Sequence, residues 1–109
     1  MKTADFDRLI AEIHAREKKV LCAKSKEYAR EGDRLSNFKK AAGLSSCTPE
    51  RACFGMAAKH LVSVADLVND LERGEDTPFP LWLEKLGDAR NYLALLEGLL
   101  RERYPHTGR

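Results

Sequence analysis

The sequence predicts an all-α protein of three long helices plus a short helical insert, packed as an antiparallel bundle. Three observations predict it. Apolar residues recur at the helical period in three long stretches, over Ala4–Glu31, Thr48–Arg73 and Leu81–Arg103. Glycine, proline and capping residues punctuate the chain between them. Apolar content of 43% and charged content of 33% suit a globular helical chain and not a disordered one. At 109 residues the chain is one domain, 1–109, with a basic tail from about residue 104.

The first helix has Thr3 as its N-cap and acids at Asp5 and Asp7, where a helix N-terminus favours negative charge. Its apolar positions are Phe6, Leu9, Ile10, Ile13, Val20, Leu21 and Tyr28. Toward its end, Lys24, Glu27, Tyr28 and Glu31 read either as solvated i,i+4 charges beside a snorkelling lysine or as the wall of a polar cleft. Gly32 closes it. The insert follows, capped by Asp33 and ending at Ala42–Gly43, with Leu35 and Phe38 turned inward.

Thr48-Pro49-Glu50 starts the second long helix with an N-cap threonine, a first-position proline and a first-turn acid, and Gly74 stops it. It is apolar on two adjoining lines, Phe54–Ala58–Leu61–Ala65–Val68 and Ala57–Val64–Leu67–Leu71. One polar line, Gly55, Lys59, Ser63, Asp66 and Asp70, stands against them, and His60 borders the apolar side. The polar line is a solvent edge or a site edge, and His60 a core-edge or a ligand histidine.

The third long helix enters after Pro78-Phe79-Pro80, prolines being tolerated where the first N–H groups lack partners. Its stripe is Trp82, Leu86, Ala89, Leu93, Leu96 and Leu100, flanked by Glu84 or Lys85, Asp88 and Asn91 or Tyr92. Polar groups on such a flank need partners. A small-residue line of Gly87, Asn91, Ala94 and Gly98 leaves room for another helix. The expected core is Leu9, Ile13, Phe54, Leu61, Val68, Trp82, Leu86, Leu93 and Leu96. Wide apolar faces on the second and third long helices predict that a homodimer completes the core.

A net charge of +2 and the absence of a basic stripe with interleaved aromatics argue against nucleic acid. No apolar run reaches the roughly 18 residues of a membrane span, and the first residues lack a signal peptide's apolar centre, so the expected location is the cytoplasm. Cys22, Cys47 and Cys53 are odd in number and match no zinc spacing, so small buried or half-buried thiols are expected.

The ordered segments EY, DRLSNF, AAGL, TPER, GMAAKH and EKLGDARNYLALLE resemble a family of small phage and prophage proteins of unassigned activity, over about Lys24 to Leu100. That family is in turn distantly similar to the MazG-like all-α nucleoside-triphosphate pyrophosphohydrolases. The distant resemblance implies Mg²⁺ held by acids on adjacent helices, here Glu84 and Asp88 with Glu27. It departs from the superfamily's acidic motif, since Glu84 and Asp88 are four apart and the helix from Thr48 has no Glu-x-x-Glu.

Three function classes follow. One is a binding module whose polar cleft of Asn37, Lys59, His60, Asp88, Asn91 and Tyr92 takes a nucleotide or a host protein. A second is a Mg-dependent nucleotide pyrophosphohydrolase, with Lys59 meeting phosphate as a point charge. The third is structural, the same polar contacts tying helices together in an obligate dimer. Convergence of Asn37, Lys59, His60, Glu84, Asp88 and Asn91 on one region is the expectation common to the first two.

Overall fold

A computed structural model describes residues 1–23 and 32–105. Within them the chain is all-helical: α1 Thr3–Ala23, α2 Ser36–Ser45, α3 Pro49–Glu72 and α4 Phe79–Arg103, with no strand among the described residues. Lys24, Glu27, Tyr28 and Glu31, and the tail residues 106–109, lie outside the described residues. No helix among the described residues is long and apolar enough to cross a membrane.

Local chemistry sets the ends of α3. The Arg51 N–H donates to Thr48 Oγ1 at 3.0 Å, and Pro49 occupies the first helical turn. At the other end the Glu75 N–H reaches the Asp70 carbonyl at 2.9 Å and the Gly74 N–H reaches that of Leu71 at 3.0 Å, the paired bonds of a Schellman motif. That closure needs a left-handed residue, and Gly74 supplies it at φ 81.

The insert differs in detail from expectation. Asp33 does not sit at the N-cap of α2. Its carboxylate instead accepts the Leu35 N–H at 2.9 Å and the Lys39 ammonium at 2.6 Å, holding the turn that leads in. The helix runs past Gly43, and Ser46, left-handed at φ 52, ends it.

The Glu50 carboxylate at the start of α3 takes a bidentate ion pair from Arg103 at the end of α4, at 2.6 and 2.8 Å, so the two helices run antiparallel. The Arg103 guanidinium holds the Glu50 carboxyl down at about 2. Lys39 bridges from Asp33 to Glu102 at 3.1 Å, fastening α2 to the same end. Inside this frame Phe38, Cys53 and Leu99 form the core, with Leu35, Tyr92, Leu95 and Leu96 packed on it.

The core uses a different line of α3 from the one expected. Cys53, Ala57 and Leu67 are buried, whereas Phe54, Leu61 and Val68 lie open to solvent, as does Leu93 on α4. Small side chains at Cys53 and Ala57 let α4 approach closely, and close approach decides which of two apolar lines is covered. Leu9, Ile13, Trp82, Leu86 and Leu96 are half-buried. Gly98 sits against the Leu35 side chain, while nothing among the described residues closes on Gly87, so no described helix is seated along the whole small-residue line. Cys53 is buried and Cys47 half-buried as expected, but Cys22 is exposed.

Among the described helices α1 packs chiefly on α4, and none of its residues is fully buried. Leu9, Ile10, Ile13 and Leu21 are half-covered, and Glu17 pairs with Arg90. The radius of gyration, 16.3 Å, exceeds the roughly 13 Å of a compact chain of this length.

Candidate functional site

Where α2 crosses α4 the packing stops short of closure. A cavity of about 230 Å³ remains, lined by Arg34, Asn37, Phe38, Met56, Asp88, Asn91 and Tyr92, with Leu21 and Leu95 at its margins. Asn37 reaches it because it adjoins Phe38, whose inward turn at the start of α2 carries its neighbour to the rim. Asp88, Asn91 and Tyr92 reach it from α4, where intervals of three and four residues share a face.

The aromatic wall is built by three helices. The Tyr92 ring stacks on the His60 imidazole, centroids 4.7 Å apart and planes 22° from parallel, and meets Phe38 edge-on at 6.4 Å. Behind it the Cys53 thiol donates to the Tyr92 carbonyl at 3.6 Å. Burial pushes the Cys53 thiol above its ordinary pKa, which keeps it protonated and unreactive. His60 Nδ1 lies 3.9 Å from Asp88 Oδ2, an ion pair only when the imidazole is protonated.

Asn91 stands between this cavity and a second cleft that α1 and α4 enclose, of about 260 Å³, lined by Arg16, Glu17, Val20, Glu84, Gly87, Asp88 and Arg90 among others. Asn91 is 9% exposed, yet its Oδ1 has no hydrogen-bond partner among the described residues. Left without a partner such a group costs roughly 1–3 kcal/mol of stability, so a hydrogen-bond donor that reaches it, from water or from a ligand, is favoured.

The predicted site residues thus divide. Asn37, Asp88, Asn91 and Tyr92 share the first cavity, and His60 backs it through Tyr92. Lys59 stands apart: it is exposed, and no ion pair links it to Asp88. One residue on, the helix has turned about 100°, so His60 takes the place toward Asp88 that Lys59 was expected to fill. Glu84 is exposed and borders the second cleft with Asp88. Glu27 lies outside the described residues. No three His, Cys, Asp or Glu side chains come together as metal ligands among the described residues. Sequence reasoning missed Arg34, which lies in the turn that Asp33 fixes and carries no periodic signal, and Met56, which reads as one more apolar helix residue.

Set against protein-family models, curated proteins and solved structures, the chain matches none of them.

Proposed function

We propose that the chain is a small helical binding module that takes the base of a nucleotide into the cavity between α2 and α4. The observation that carries this reading is Asn91, nine-tenths buried in the wall shared by the two cavities, whose Oδ1 is covered from water and meets no hydrogen-bond partner among the described residues. Asparagine offers an acceptor and a two-proton donor side by side. That pair matches the adjacent donor and acceptor on the edge of adenine, the pairing by which asparagine reads that base elsewhere. Asn37 supplies a second amide, Asp88 a further acceptor, and Phe38 and Tyr92 the apolar ring surfaces that flank a base. At about 230 Å³ the space lies below the roughly 300–1,000 Å³ that encloses a drug-sized ligand. It fits one ring system, with sugar and phosphates left outside beside Arg34. A host-protein segment would bring no more than one side chain into it, so the nucleotide reading is the stronger.

The motifs behind the resemblance to small phage proteins are also those that build the cavity. DRLSNF provides Arg34, Asn37 and Phe38, GMAAKH provides Met56 and, behind Tyr92, His60, and EKLGDARNYLALLE provides Asp88, Asn91 and Tyr92. On this reading, with a nucleotide as ligand and a phage as source, the protein would act in the host-cell cytoplasm. The pyrophosphohydrolase alternative has, among the described residues, Glu84, Asp88 and the Arg90-paired Glu17 along the second cleft to offer Mg²⁺, and these do not come together as a set of metal ligands.

Thermal unfolding with a panel of nucleosides and nucleotides, with and without Mg²⁺, tests the proposal. A nucleoside at 100 times its dissociation constant should add about 2.7 kcal/mol of stability. Adenosine is expected to shift the midpoint without Mg²⁺, and adenosine triphosphate to do so without releasing pyrophosphate. Release of pyrophosphate from a triphosphate would install the alternative. No shift with any base would end the nucleotide reading.

A further inference from the structure

We propose that α3 is also a self-association surface, two copies of the chain packing antiparallel along Phe54, Ala58, Leu61, Ala65 and Val68. These residues follow one another at intervals of four, three, four and three, the spacing of a coiled-coil seam. The line is apolar yet unused by the chain's own core. Phe54 is 45% exposed, Leu61 44% and Val68 40%, while the adjoining line of Cys53, Ala57 and Leu67 packs inward. Val62, 59% exposed, widens the patch.

Area supports a partner of protein size. A compact chain of 12.3 kDa exposes about 6,100 Å², and this one exposes 8124 Å². The excess of about 2,000 Å², shared between this face of α3 and the half-covered α1, leaves room for the roughly 800 Å² that each partner buries in a standard interface.

The pattern of sizes identifies that partner as a second copy. Large residues (Phe54, Leu61 and Val68) occupy one position of the repeat, and Ala58 and Ala65 the other. An antiparallel pairing about a two-fold axis between Lys59 and His60 sets Phe54 against the partner's Ala65 and Leu61 against the partner's Ala58. Symmetry repeats both, so a single helix yields four layers of large against small. The stem of the partner's Arg51 then covers Val68. Parallel pairing in register would instead set alanine on alanine and leave voids between the large layers, each void costing dispersion contacts. Alanine at every second layer also lets the two backbones approach closely.

Sedimentation equilibrium at micromolar concentration is expected to give twice 12.3 kDa. Leu61→Lys should lose the dimer and keep its helical circular dichroism, since Leu61 is half open within one copy. The register has its own readout, in a chain carrying Cys22→Ser and Cys47→Ser. Oxidation of the double variant Phe54→Cys/Ala65→Cys should give a covalent dimer, and neither single variant should, because each is about 16 Å from its own symmetry mate along the helix. A monomeric wild type, a Leu61→Lys variant that stays dimeric, or cross-linking by Phe54→Cys alone would each overturn the proposal.

Discussion

The two ends of α4 teach different lessons about this fold. Its C-terminal half meets α2 and α3 over Phe38, Cys53 and Leu99, and is laced to them by Glu50–Arg103 and by Lys39 to Asp33 and Glu102. Its N-terminal half meets α1, which buries no residue completely and adds one charged contact, Glu17–Arg90. The C-terminal end is therefore a closed core, whereas toward the N-terminal end Leu67 and Ala89 are buried but α1 rests on a half-covered face. The candidate cavity opens where the closed end gives way to the open one, and this placement lets a site exist without breaking the core.

The largest effect expected from this contrast is at the closed end. Phe38→Ala should cost about 3–5 kcal/mol in urea denaturation, because Phe38 is 5% exposed and shared by the core and the aromatic wall. Ile13→Ala, on the half-buried face of α1, should cost about 1 kcal/mol. Equal losses at the two sites would erase the contrast. Hydrogen exchange should separate the same halves, α1 amides exchanging through local opening well before those of α3 around Cys53.

A smaller effect comes from the ion pair at the closed end. Because Arg103 depresses Glu50 from 4.5 to about 2, the unfolded chain binds the proton first as pH falls. The pair's stabilisation is therefore full above about 4.5 and fades as pH drops toward 2. Solvent screens the pair, so the loss should be on the order of 1 kcal/mol. Glu50→Gln should flatten the stability profile across that window and leave the profile above it parallel to wild type. A variant as acid-sensitive as the parent would remove Glu50 from the account.

The ends of α3 were legible in the sequence because their causes are local: Thr48-Pro49 and Gly74 act within a few residues, whereas the expected ends of α2 at Asp33 and Gly43 were not those it took. The face of α3 that packs inward was not legible. Periodicity points to the line with the largest side chains, Phe54, Leu61 and Val68, whereas packing selected the line that allows the closest approach, Cys53, Ala57 and Leu67. The same limit applied at the site. Asp88, Asn91 and Tyr92 were readable as polar groups flanking a stripe, but one residue of rotation separates His60, which reaches the site, from Lys59, which does not. Arg34 depends on a turn held by Asp33, which no period announces.

Asn91 decides the central claim. Leucine has a similar branched shape and needs no partner, so Asn91→Leu should raise the stability of the unliganded protein by about 1 kcal/mol, or about 4 °C in midpoint. The same variant should abolish the adenosine-dependent shift. An Asn91→Leu protein that melts earlier than wild type and still responds to adenosine would contradict the account, for the asparagine would then serve the fold and not a ligand.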